Sequence, residues 1–394
     1  MFHLVDTVRA SLGRRVACAF VCATLLISPA RAGEREPAKA VASEKPGQRN
    51  WSMFRGGPQL RGIAHTRLPD RLKVRWKFEA PDAVTSSAAI VNGTVYVGCY
   101  DGTLFALHLS DGSVKWKYKA QEAIESSPTV IDGTVYVGDD EGVLHAVDAG
   151  SGKGKWTFPT DDQIISSVNH ADDRLVFGSY DGFVYCVSRQ VGKLLWKFET
   201  QGRVHGTPGI TAGHVIAAGC DEFIHVLRLD DGRPVRKISM GSVSGASAAT
   251  HGHRAYVGTY GGHMLGIDWK AGRVEWSFAD GDREFPIMSS AAVTDRWVIV
   301  GGRDKRVRAL DRITGKPQWV FVTNGRVDSS PVVVGDRVFI GSSDGNLYAL
   351  TLDTGKETWR FEAGGPISAS PAVAEGSLVI GTEDGMIYCF GAAK

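Results

Sequence analysis

Residues 126–156 read SSPTVIDGTVYVGDDEGVLHAVDAGSGKGKW, and residues 329–359 read SSPVVVGDRVFIGSSDGNLYALTLDTGKETW. Such a restatement within one chain sets the frame for every other residue. Tryptophan is the ruler: Trp76, Trp116, Trp156 and Trp196 stand 40 residues apart. Arg236 holds the next position in phase, Trp276 restores it, Trp319 follows after 43 residues and Trp359 after another 40. One substitution and one short insertion leave the periodicity intact.

Inside each repeat the apolar residues alternate, which is strand patterning. After Trp116 the runs are SSPTVI, GTVYVG, GVLHAVDA and GKGKWTF. Between the second and third runs lie turn pairs such as Asp101-Gly102, Glu141-Gly142, Asp181-Gly182, Asp344-Gly345 and Asp384-Gly385. These suit the positive φ of a tight hairpin. Each unit is therefore a four-stranded antiparallel meander, and units of about 40 residues repeated radially make a β-propeller. First and third strands are each found eight times, but the last tryptophan strand is missing after MIYCFG, while LKVRWKFEA around Trp76 is spare. The expectation is an all-β, eight-bladed propeller whose N-terminal strand completes the last blade.

Trp76, Trp116, Trp156, Trp196, Trp276, Trp319 and Trp359 are read as docking residues, each paired with a recurring glycine between neighbouring blades. Opposite them the third strand carries small or modest residues: Ala106, Ala146, Cys186, Val226, Gly266, Ala309, Ala349 and Cys389. These are expected to let a neighbouring blade's indole lie flat. Cys186 and Cys389 then replace alanine in the core. His145 and His225, in a slot filled elsewhere by Phe105 and Tyr185, read as ring-shaped packing residues.

The N-terminus follows other rules. Basic Arg9, Arg14 and Arg15 precede the apolar run VACAFVCATLLI and an Ala30-Arg31-Ala32 cleavage site. That is a secretory signal peptide over residues 1–32, with an apolar run too short to span a bilayer. Residues 33–50 have the composition of a flexible linker, residues 51–71 form a lead-in expected to pack on the propeller, and residues 72–394 form the propeller itself. Removing residues 1–32 takes four arginines and one aspartate from 45 basic and 43 acidic residues. The remainder, 41 and 42, has no basic excess for phosphates, so nucleic acid is not an expected partner. The mature chain is expected to be monomeric and periplasmic, with no transmembrane helix and no lipidation cysteine. Cys99, Cys186, Cys220 and Cys389 show neither adjacency nor C-x-x-C spacing.

The string A-x-D-x-x-x-G-K-x-x-W at Ala146–Trp156 and again at Ala309–Trp319 resembles the tryptophan-docking motif of pyrroloquinoline quinone (PQQ)-like repeats. The resemblance covers about residues 72–391, and WSMFRGGPQLRG at 51–62 is similar to the lead-in of many exported PQQ-like repeat proteins. It implies one of two groups: quinoprotein dehydrogenases, or the non-enzymatic outer-membrane assembly factor BamB and its relatives. Dehydrogenases of the first group commonly present a vicinal Cys-Cys disulfide over the quinone and large roofing insertions, and this chain has neither. The expected function is a non-enzymatic scaffold for a protein or peptide partner in the cell envelope, with outer-membrane protein assembly as the setting the resemblance implies, and with no catalytic, cofactor-binding or metal residues. The alternative is a PQQ- and calcium-dependent alcohol or sugar dehydrogenase.

A scaffold needs a surface, and departures from a regular repeat are where one is sought. In blades four to six Arg236 replaces a tryptophan, Asp221-Glu222 replaces Asp-Gly, Lys305 stands where glycine is expected, and the short insertion lies within ADGDREFPIM. The candidate partner surface is Arg203, His205, Asp282, Arg283, Glu284, Phe285, Arg326 and Asp328. Neither His251-x-His253, without a third ligand, nor Asp161-Asp162 is carried forward as a site.

Overall fold

The computed structural model describes residues 50–281 and 284–392. The expected signal peptide, most of the expected linker, and Asp282 and Arg283 of the candidate surface lie outside the described residues. Eight four-stranded meanders follow in order, from Ala89–Val91, Thr94–Gly98, Thr103–His108 and Val114–Lys119 in blade one to Ala372–Ala374, Ser377–Gly381 and Met386–Gly391 in blade eight. Lys73–Glu79 pairs antiparallel with Met386–Gly391 and supplies the outer strand of blade eight. The ring is thus closed by joining the two ends of the chain in one sheet.

Blades dock through tryptophan and glycine. Gly112 of blade one has φ +75°, and a Cβ built there would lie 2.7 Å from the Trp76 ring of blade eight. Only glycine accommodates both constraints. The Trp76 Nε1–H donates to the Leu109 carbonyl at 2.8 Å. Trp116, Trp196, Trp276 and Trp319 donate in the same way to Ala149, Leu229, Arg312 and Leu352. Trp359 has no such glycine, because the fourth strand of blade eight does not follow its third by a hairpin. It packs edge-on against Phe390 at 5.5 Å.

The small third-strand residues have a different role from the one expected. Ala106 stands opposite Trp116, Cys186 opposite Trp196, Gly266 opposite Trp276, and Cys389 opposite Trp76. Each makes room for the indole of its own blade, which then reaches the neighbour's glycine. The buried imidazoles are ring packers with a polar tip: His145 bonds Asp139 at 2.9 Å and His225 bonds Asp221 at 2.6 Å. In the same slot Tyr185 and Tyr348 bond Asp181 and Asp344, each at 2.7 Å.

The Ser-Ser segments lie before the first strands, not inside them, since those strands begin at Ala89, Thr129 and Val332. Their hydroxyls form a closed belt around the axis. Backbone N–H groups of Ser87, Ser127, Ser167, Thr207, Ser247, Ser290, Ser330 and Ser370 each donate to the next blade's hydroxyl, the last returning to Ser87 Oγ, at 2.8–3.1 Å. Each bond satisfies a buried donor that neither sheet ladder could reach.

Residues 51–66 run around the inside of this ring and meet the innermost strands of blades one to seven and the turn that follows the innermost strand of blade eight. Trp51 bridges Ile90, Ser52 O accepts from Val130, and Pro58 O accepts from Asn169 Nδ2 and Ile210 N. Gln59, Arg61 and Gly62 accept from Thr250, Val293 and Val333, and the Thr66 hydroxyl accepts from Gly376. The segment closes the axis with Phe54–Gly56. Arg55 is 2 % exposed, no nitrogen of its side chain has a hydrogen-bond partner, and burial pulls its pKa down to about 9. Exchanging an unpaired buried charge for an apolar side chain is often stabilising. Arg55→Met is therefore expected to raise the melting temperature, read by circular dichroism, and a lower one would mean the guanidinium has a bound partner.

Candidate functional site

The loops entering each first strand and the turns between second and third strands share one face, and around its axis they form two circles. The inner circle is the residue two before each belt hydroxyl: Thr85, Glu125, Ile165, His205, Gly245, Met288, Asp328 and Ser368. These residues, the hydroxyl belt and Phe54 enclose a cavity of about 180 Å³. Tyr100, Asp140, Tyr180, Cys220, Tyr260 and Arg303 belong to the outer circle, held by backbone bonds such as Tyr100 N to Ala83 O and Arg303 N to Pro286 O.

The polar groups of the two circles pair across blades. Tyr180 Oη lies 2.6 Å from His205 Nδ1, with the Arg203 guanidinium 4.9 Å above the Tyr180 ring. Burial lowers the His205 pKa and pushes Tyr180 up to about 12, so both are neutral near pH 7. Asp328 accepts two bonds from Arg303, at 2.9 and 3.2 Å, and lies 3.2 Å from Arg326. Glu125 lies against Tyr100 and Asp140, and burial raises its pKa. Burial first, and the Glu125 charge second, push Asp140 up to about 7.

The sign of the Asp140 linkage is definite. A carboxyl with a folded pKa above its unfolded value binds more protons when folded, so its contribution to stability falls as pH rises from about 4 to about 7. Asp140→Asn is expected to raise the melting temperature most above pH 7, with the gain shrinking as pH falls through that window. Thermal melts at pH 4, 6 and 8 check it, and a gain that does not change with pH would show that Asp140 is not the titrating group.

Of the candidate surface, the structure brings Arg203, His205, Arg326 and Asp328 together at this mouth. Glu284 and Phe285 stand in the insertion between blades five and six, where the Phe285 backbone packs against the turn at Gly262 and the residue is 41 % exposed. The insertion also sends Asp280 to Arg308 at 2.5 Å and Arg306 at 3.0 Å. Sequence reasoning missed Glu125, Asp140 and the tyrosines Tyr100, Tyr180 and Tyr260. Their signal was available: they occupy a fixed phase of the repeat, with Tyr100, Tyr180 and Tyr260 recurring every 80 residues. Lys305 and Glu222 hold left-handed backbone, with φ 65° and 66°, where other blades use glycine. Replacing either by glycine is expected to stabilise by about 0.5–1 kcal/mol, since left-handed backbone costs a non-glycine residue about 1–2 kcal/mol; denaturant unfolding checks this.

Other features offer less. His251 pairs with Asp295 at 2.9 Å, and His253 lies 3.8 Å from Asp268, so the two imidazoles do not converge. Glu275, near His253 and Asp268, already accepts from Arg254 at 2.5 Å. Burial raises Cys99 to about 11 and Cys186 and Cys389 to about 12, which leaves these thiols protonated. On the opposite face a bowl of about 1000 Å³ is walled by Leu60, Ile63, Ile210, Trp297, Val333 and Leu352. Among the described residues no helix is long and apolar enough to cross a membrane.

A family model described as outer membrane protein assembly factor BamB matches residues 42–169, 162–302 and 303–394. BamB from Moraxella catarrhalis is 20 % identical, with TM-score 0.70, over 82 % of this chain and all of that one. The quinohemoprotein alcohol dehydrogenase from Comamonas testosteroni is 13 % identical, with TM-score 0.76, over 88 % of this chain and 81 % of that one. The computationally designed Ika8 protein is 16 % identical, with TM-score 0.73, over 81 % of this chain and all of that one. No curated protein sequence matches the chain. At these identities the structural likenesses establish the shared fold alone.

Proposed function

From the premise that this chain belongs to the outer membrane protein assembly factor BamB family, we propose that it is an exported, non-enzymatic scaffold that binds a protein partner in the cell envelope, in outer-membrane protein assembly. Its working surface is the mouth formed by Arg203, His205, Arg326 and Asp328, with Tyr100, Tyr260 and Phe285 as aromatic anchors. Tyr100 and Tyr260 are 44 % and 39 % exposed. Exposed aromatics and arginines around a polar centre are the composition of protein-binding hot spots.

The observation that carries this reading is the axial cavity. Its volume of about 180 Å³ lies below the roughly 300 Å³ at which small-molecule sites begin. Its wall holds Glu125 and Asp328, and Asp328 already engages the guanidinium groups of Arg303 and Arg326. A flat tri-anionic quinone needs cations and a stacking platform, and these residues do not fit one. This supports an absence of cofactor and counts against the PQQ-dependent dehydrogenase, the reading suggested by the shared fold of the alcohol dehydrogenases.

Two measurements test the proposal. A photo-crosslinking residue at Tyr260 or Phe285, in the native envelope, is expected to give discrete protein adducts. Calorimetric titration of PQQ, with and without calcium, is expected to give no saturable heat. Micromolar PQQ binding with alcohol- or sugar-oxidising activity would replace the scaffold by the enzyme.

A further inference from the structure

The outer strand of blade six, Pro317–Val322, differs from its seven counterparts. Every outer strand ends its sheet and pairs on one side only, and such edges are normally blunted by charge. Seven of them carry at least one charged residue, whereas PQWVFV carries none. Directly after the tryptophan position the other strands place Lys77, Lys117, Thr157, Lys197, Lys237, Ser277 and Arg360; here it is Val320. Two residues on, where Glu79, Lys119, Glu199 and Glu362 stand elsewhere, it is Val322. The two valines are 47 % and 66 % exposed.

The charges have moved inward by one strand. In other blades an outer-strand cation covers a third-strand ring, as Lys117 covers Phe105 and Lys197 covers Phe183. In blade six the third strand carries the cations, with Arg308 opposite Val320 and Arg306 opposite Val322. Asp280 and Asp304 hold them. The backbone points the same way. Thr323 N donates inward to Lys305 O at 2.9 Å, and alternation along an antiparallel pair then directs the N–H and C=O of Val320 and Val322 to the open edge. One pair of residues thus presents both free backbone groups and apolar side chains.

We propose that this strand is a docking edge for an extended protein segment, which adds to blade six as a fifth strand with apolar, β-branched residues at alternate positions. Main-chain bonds would supply affinity and the two valines specificity. The inference rests on the scaffold reading and names the kind of segment bound. Exposed Lys316 and Lys305 bracket the strand, so acidic flanks on the segment are favoured. The same cations disfavour a second copy of this chain, because antiparallel self-pairing would bring lysine ends together.

The probe is a fluorescein-labelled heptapeptide of alternating valine and threonine with an aspartate at each end, followed by anisotropy with the mature protein. Saturable binding is expected, weakened at least about tenfold, or 1.4 kcal/mol, by the double substitution Val320→Lys and Val322→Glu, with an unchanged melting transition. If the double variant does not fold, Val322→Lys alone is expected to show the same direction. No saturation by about 1 mM peptide, a very weak limit, or equal binding to wild type and variant would overturn the proposal. Light scattering that shows a dimer abolished by the same substitutions would assign the edge to a second copy and overturn it as well. Envelope crosslinks from Tyr260 that persist in the double variant would mean that the edge alone is wrong and the scaffold stands.

Discussion

Deleting residues 70–80 is expected to abolish the folded monomer. Lys73–Glu79 provides the fourth strand of blade eight, and its ladder with Met386–Gly391 is the sheet pairing that joins the first blade-forming strand to the last. Without it, Met386–Gly391 becomes an unpaired edge of apolar composition, MIYCFG, the kind that aggregates. The deletion also removes Trp76, and with it the dock onto Gly112 of blade one. Loss of a cooperative thermal transition, together with soluble aggregate on gel filtration, is the expected outcome. A truncated chain that still melts cooperatively at the wild-type temperature would show that the ring does not depend on this strand.

The second large effect is at a single indole. Trp76→Ala is expected to cost about 3–5 kcal/mol, the usual loss for truncating a buried aromatic. Trp76 is 7 % exposed, rests on Gly112 and donates to Leu109. Trp359 is the internal control: it is half-buried and has neither a docking glycine nor that geometry. Trp359→Ala is expected to cost about 1–2 kcal/mol, within the ordinary range of substitutions. Equal losses at the two positions, measured by denaturant unfolding, would mean that aromatic burial, and not docking on glycine, holds neighbouring blades together.

Periodic features were legible because each blade solves the same packing problem with the same residues. The tryptophans, their glycines and the spare strand at the front could be counted, and counting was enough to reach eight blades and their closure. Reading the third-strand alanines as sockets for a neighbour's indole went wrong for a geometric reason. A cross-strand partner inside one sheet stands about 5 Å away, so it is the blade's own tryptophan that each small residue must clear. The Ser-Ser segments read as strand because they run directly into the apolar first strands, whereas their hydroxyls serve an inter-blade bond.

The candidate surface shows the same division. His205 and Asp328 were found because they stand out in their loops. Glu125 and Asp140 were not, since an acidic residue in a loop reads as solvated until the fold shows it buried beside another carboxyl. The charge swap in blade six is spelled out in PQWVFV, yet it has meaning only once the strand is known to be an edge.

By itself the sequence determined the repeat, the blade number, the strand that closes the ring and the glycines on which indoles rest. These follow from local periodicity and from residue size, which are properties of neighbours in the chain. The tertiary structure alone decided how residues 51–66 thread the axis, how eight hydroxyls close a belt, and which side chains face each other across the mouth. Those contacts join residues from 25 to more than 300 positions apart, in different blades, and such partners are set by ring closure, which no local pattern encodes.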